Sequence, residues 1–411
     1  MTTEIYTQRQ EEIRLGIVDT QIGSIRRRTV TETTARMYRD GHVGVASAVG
    51  DVDAEQLSKQ AEQALRFSIP YPPPDSDTSS TTTRQGQWRD TDALVAFAEA
   101  VLEPLRRDFP GFVFSNAISN TRITDKLHDD RGRTLQHDRV ITSLGLIAKE
   151  RGSPNIFDTY FGGVHSEMDA EGILAEGTAH LRAFQNQVPL PTPRADGKHK
   201  IILRGLQGTL GRTLSSELVA RSYAKGSSMF TGRMGETLFH PQLTLVDSRD
   251  WTRHLCCPFD SEGTLRREPD CALIKNGVLN RVAVSRRDAQ RFSLPHSGSA
   301  VGGSSAPYSG IAQMELKPTA PDLRTLLDGQ PGLLVWVEAG GDVTRTGDMG
   351  APAMVILRVD ADGTVVGRVK PGTLTGNLFE IFGADFVGVT EQTTSPFDAE
   401  RFVVTHMTLQ G

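Results

Sequence analysis

The chain has 411 residues, enough for two or three domains around a well-buried core. With 37% hydrophobic and 23% charged residues, its composition excludes global disorder. A net charge of −5 gives no electrostatic reason to expect nucleic acid or an anionic membrane as partner, and no apolar run approaches membrane-spanning length.

The opening residues, Met1 to Gln8, carry neither a basic region nor an apolar core of the secretory kind, so a cytoplasmic location is expected. Residues 11–49 alternate apolar and polar side chains, with a hairpin signal at Asp40-Gly41, and predict two or three antiparallel strands. Asp53 to Phe67 shifts to helical spacing, with Leu57, Ala61, Ala64 and Leu65 on one face. Pro70 to Pro74 and the Ser/Thr run to Thr83 predict a mobile surface loop near 70–87. Leu94, Phe97, Ala98, Val101, Leu102 and Leu105 mark an amphipathic helix. Strand-like alternation follows over 112–127 and 134–148, then helical spacing over 168–184. This order, without a regular βαβ rhythm, predicts an α+β domain over 1–190. The proline-rich stretch 189–197 precedes a sheet-rich second domain over 198–411, with framing helices near 213–225 and 375–385.

Several clusters invite a chemical reading. His254, Cys256 and Cys257 lie close together with Cys271 a hairpin away, but no CxxC pair is present and buried structural thiols are expected. An odd count of three cysteines argues against a disulfide framework. The glycine-serine stretch 297–305 lacks the Lys-Ser/Thr of a phosphate-binding loop and reads as a loop lining a cleft. Arg26-Arg27-Arg28 reads as a charged strand edge, and the His-Asp pairs at 128–130 and 137–138 as polar hairpin ends. On the 213–225 helix, Leu206, Leu210, Leu214 and Leu218 recur every four residues as a core face. Spacing alone makes Glu217 and Arg221 an ordinary i,i+4 surface pair, worth about 0.3–0.5 kcal/mol.

The text around that helix carries more. Gly205-Leu206-Gln207-Gly208 precedes it, and Lys225-Gly226-Ser227-Ser228-Met229-Phe230-Thr231-Gly232-Arg233-Met234-Gly235-Glu236 follows. Pro258 to Gly263, Leu273 to Leu279, Arg291 to Ala300, Thr346-Gly347-Asp348 and Thr375-Gly376-Asn377-Leu378 continue in order. Together they resemble the TldD/PmbA (TldD/TldE) family of peptidases, over about half of the chain. In the catalytic TldD-type member the helix carries His-Glu-x-x-x-His, two zinc ligands with a general base between them. A cysteine near the carboxyl end supplies a further ligand.

Here the frame reads Ser216-Glu217-Leu218-Val219-Ala220-Arg221, and residues 391–408 contain no cysteine in a tail that is short for the family. A hydroxyl is a poor zinc ligand, and arginine has no lone pair to donate. The resemblance therefore implies a two-domain α+β fold and a non-catalytic, TldE/PmbA-type subunit. It implies no catalytic residue, cofactor or metal in this chain, with zinc held by a TldD-like partner in a heterodimer acting on peptides, including precursor or natural-product peptides. Two rivals stand beside it. One is a non-proteolytic peptide-binding scaffold that self-associates, and the other an enzyme with repurposed chemistry at Glu217 or at the acidic turn of Asp260 and Glu262.

Overall fold

The computed structural model describes residues 1–74 and 77–411. Its first half is built on two long hairpins. Strand Thr2–Val18 pairs antiparallel with Gln21–Arg39 on one side and Phe112–Asp129 on the other. His42–Val49 and Thr134–Glu150 extend the sheet outward, to eight strands in all. Asp40 and Gly41 both take positive φ, as the Asp-Gly signal requires for a two-residue turn. The first strand starts at Thr2, well before the alternation becomes visible, because residues 4–10 find partners on both edges despite their polarity.

Helices Ala54–Ala64, Thr91–Asp108 and Ala170–Gln185 each begin after an aspartate whose side chain accepts a hydrogen bond from a first-turn amide. All six apolar residues foreseen on Thr91–Asp108 are buried. The segment near 70–87 departs from its expected character. Ser80–Arg84 is a strand, parallel to residues 135–139 of the long hairpin, since its β-branched threonines suit a pleated surface. Asp75 and Ser76, within the expected loop, lie outside the described residues.

In the second half, strands His199–Arg204, Gly332–Glu338, Asp348–Val359, Gly372–Asn377 and Arg401–Gln410 close a ring. A four-stranded sheet from Leu245–Ser248, Asp270–Lys275, Val278–Leu279 and Met314–Leu316 stands beside it. Asn276-Gly277 makes the turn between two of these strands, with both residues at positive φ. The fold is α+β, with mainly antiparallel sheets and a sheet-rich carboxyl-terminal region. The helix expected near 375–385 is a single turn, Leu378–Ile381, because residues 372–377 are taken into the ring.

One hydrophobic core runs from Leu102, Phe114 and Phe161 of the first half to Ile202, Leu357 and Val404 of the ring. Polar contacts lock the same junction. Arg36 is fully buried and donates to the carbonyls of Ser261 (2.5 Å), Gly303 (2.6 Å) and Ser305 (3.2 Å). Arg133, equally buried, bridges the Glu4 carboxylate at 2.6 Å and the Gly263 carbonyl at 3.3 Å. Arg36→Ala removes a buried guanidinium and its three hydrogen bonds across the junction, and should destabilise the chain by about 3 kcal/mol. Arg27→Ala, on the exposed strand edge, should cost less than about 0.5 kcal/mol. Urea unfolding of both variants checks this; equal shifts in midpoint would contradict it.

Candidate functional site

Strand His199–Arg204 leads into the turn of Gly205 and Gly208, whose φ values of 64° and 73° favour glycine. A Cβ at Gly208 would lie 2.7 Å from the Glu338 carboxylate. That carboxylate accepts from the Thr209 amide at 2.6 Å and from the Thr209 hydroxyl, so it caps the helix Gly208–Glu217. Leu210, Leu214 and Leu218 are buried as their spacing predicts.

The helix does not continue to 225. It ends at Glu217, Val219 is extended, and a second short helix spans Ala220–Ala224. The break is held from outside: Ala220 N–H donates to the Ala283 carbonyl (2.9 Å), and Ala283 N–H to the Leu218 carbonyl (2.8 Å). The spacing contained this signal. Positions five apart on a continuous helix lie about 140° apart, so donors at 216 and 221 could converge only across a break.

The three motif residues are separately engaged. Ser216 is exposed, and its hydroxyl donates back to the Thr213 carbonyl at 2.9 Å. The Glu217 carboxylate accepts from the Met229 amide at 2.6 Å, while its carbonyl accepts from the Ser228 hydroxyl at 2.8 Å. Glu217 therefore ties down the loop after the second helix, and it forms no ion pair with Arg221 among the described residues. Arg221 is exposed. One committed carboxylate, one hydroxyl and one guanidinium do not fit a zinc ion, which needs three or four lone-pair donors.

A different set of potential donors does converge. Asp260, Glu262 and His296 bring ligand-type atoms within 4.8 Å of one another. Asp260 and Glu262 belong to the acidic turn; His296, more than thirty residues away, carries no local signal that joins it to them. Asp260 accepts from the amides of Glu262 (2.9 Å), Thr264 (2.8 Å) and Ala300 (3.1 Å). Glu262 accepts from the Tyr71 hydroxyl and the Arg286 amide (2.8 Å), with the Arg286 guanidinium at 3.8 Å and His296 Nε2 at 3.5 Å. Burial and the charge of Glu262 push the Asp260 carboxyl up. Burial works the same way on Glu262, but His296, Arg286 and Tyr71 outweigh it and hold that carboxyl low. Guanidinium, phenol and backbone amides already compensate these acids. The arrangement suits a structural junction better than a cation site.

The thiols are structural in character. Residues 251–256 form turns and bends, with Asp250 accepting from the Thr252 amide (3.0 Å) and hydroxyl (2.5 Å) as the chain folds back. His254 is buried and bonded to Glu315 at 3.0 Å. Burial raises the Cys256, Cys257 and Cys271 thiols, which disfavours the reactive thiolate.

Residues 197–411 match the PmbA/TldA metallopeptidase C-terminal domain. The chain belongs to the TldD/PmbA family. The fold is similar over nearly the whole chain to TldE from Thermococcus kodakarensis, with TM-score 0.76, 17% identity, and 99% of this chain and 96% of that one covered. A putative modulator of DNA gyrase from Bacteroides thetaiotaomicron gives TM-score 0.75 and 16% identity, covering 100% and 95%. Another putative modulator, from Thermotoga maritima, gives 0.73 and 15%, covering 99% and 96%. No curated protein sequence matches the chain.

The donor set at 216, 217 and 221 yields a direct expectation. Elemental analysis of the purified chain should find far less than one zinc per chain; about one tightly held zinc would contradict this reading.

Proposed function

We propose that this chain is the non-catalytic, TldE-like subunit of a heterodimeric zinc metallopeptidase acting on peptides. The observation that carries the reading is the commitment of Glu217 to the Met229 amide between an exposed hydroxyl and an exposed guanidinium. A general base must be free to reach a water, and this carboxylate is spent on fixing a loop. Zinc in a TldD-like partner supplies the water activation and carbonyl polarisation. This chain contributes walls that exclude water and hold the peptide. The reading places the protein in the cytoplasm, away from membrane and nucleic acid, and includes precursor peptides among the substrates.

A stable 1:1 assembly with a TldD-like subunit should form on mixing and bury more than about 1,000 Å². Light scattering on the eluted complex tests this; a chain that remains alone or only self-associates favours the scaffold reading. In the assembled complex, Glu217→Gln keeps an acceptor for Met229 and should change peptide cleavage by less than twofold. A large loss with the complex intact would assign Glu217 a chemical role. Ser216→His combined with Arg221→His should not create an efficient peptidase, since the third donor and the groups that orient imidazoles are missing. Chelator-sensitive cleavage by that variant alone would overturn the assignment.

A further inference from the structure

A cleft of about 460 Å³ lies between the two halves of the chain, reaching Gln207 at the start of the motif helix, with Arg84 and His165 on one wall and Gln313, His254 and Glu400 on the other. Glu400 packs against Gly205. Gln313 approaches its carboxylate at 3.4 Å, and no ion pair to it occurs among the described residues. Three guanidiniums border the cleft, each committed elsewhere. Arg84 donates to the carbonyls of Trp251 (2.5 Å) and His254 (3.2 Å), Arg253 to Asp270 and Glu315, and Arg401 to the Glu391 carbonyl (2.7 Å). The charged groups that act on Glu400 are Asp398 on its own loop and Glu315 from the neighbouring strand, both acids. His165 across the cleft is turned to the Glu167 carbonyl at 2.5 Å. Burial first, then Asp398, pushes the Glu400 carboxyl up to about 7. No cation pairs with Glu400 among the described residues; its partners are the Leu206 amide and the Gln313 side chain.

A second observation concerns His254, which is 4% exposed. Its Nε2 faces the Glu315 carboxylate at 3.0 Å, and in the neutral ring a proton on Nε2 leaves Nδ1 as the acceptor. That Nδ1 is buried and has no hydrogen-bond partner among the described residues. A carboxylate without a counter-charge, Glu400, and a buried ring nitrogen without a donor call for the same thing, a positively charged donor. An anionic group would meet Glu400 and Asp398 as like charges.

We propose that this cleft binds a primary ammonium group, from a peptide amino terminus or a lysine side chain, with Glu400 as its counter-charge and His254 Nδ1 as a second acceptor. Binding needs no partner subunit, so this inference and the subunit reading fail separately. Calorimetry on the full chain at pH 7 with three probes tests it: Ala-Ala-Ala-amide, N-acetyl-Ala-Lys-Ala-amide and N-acetyl-Ala-Ala-Ala-amide. Saturable binding of the first identifies an amino terminus and of the second a lysine, while the third should not bind. Glu400→Gln should weaken binding at least tenfold. In the wild-type chain, binding should release protons near pH 7, because the acid must ionise to hold the cation. Buffers of different ionisation heat read this out even if the variant fails to fold. Binding of the third probe as tight as the others, no binding of any probe, an unchanged affinity for a folded Glu400→Gln, or absence of proton release would overturn the proposal.

Discussion

Glu262 cannot be buried alone. An isolated carboxylate in the interior costs several kcal/mol, and here it is compensated by groups from both halves of the chain. Tyr71 reaches it from the first half, and Arg286 from the second. Arg36 and Arg133 reinforce the contact by capping the carbonyls of Ser261, Gly263, Gly303 and Ser305. Separating the halves would strand charges and carbonyls together, so the junction is rigid for electrostatic as well as hydrophobic reasons. The relative placement of the cleft walls, with Arg84 and His165 facing His254 and Glu400, depends on it.

That rigidity bears on what a subunit without its own metal donors can contribute. The motif region retains a framework: capped by Glu338, broken at Val219, and pinned to Ala283. Its chemistry has been exchanged for loop fixation, with Glu217 holding Met229 and Ser228 holding the Glu217 carbonyl. A preorganised wall is a geometric contribution to catalysis, and geometry alone supplies a substantial part of the barrier reduction in bound reactions.

Much of the fold was legible in short-range pattern. The hairpin at Asp40-Gly41, the buried face of Thr91–Asp108 and the turn at Asn276-Gly277 each follow from local chemistry. Long-range pairing was not legible where local composition pointed elsewhere. Residues 4–10 are largely polar yet doubly paired, and Ser80–Arg84 becomes a strand only because residues 135–139 offer an edge. At the site, the loss of lone-pair donors at 216 and 221 could be read directly from residue type. The helix break could have been read from the five-residue spacing. The approach of His296 to Asp260 and Glu262, and the shared lining of one cleft by His254 and Glu400, could not, because they depend on loops distant in sequence.

The central claim is that this chain supplies geometry and its partner the chemistry. Titrating the purified chain into a fixed amount of zinc-loaded TldD-like subunit, with cleavage of an unfolded peptide as readout, tests it most directly. The account predicts negligible cleavage by either protein alone and a rate that rises and saturates at one chain per partner. Full activity of the partner alone, or chelator-sensitive cleavage by this chain alone, would contradict it.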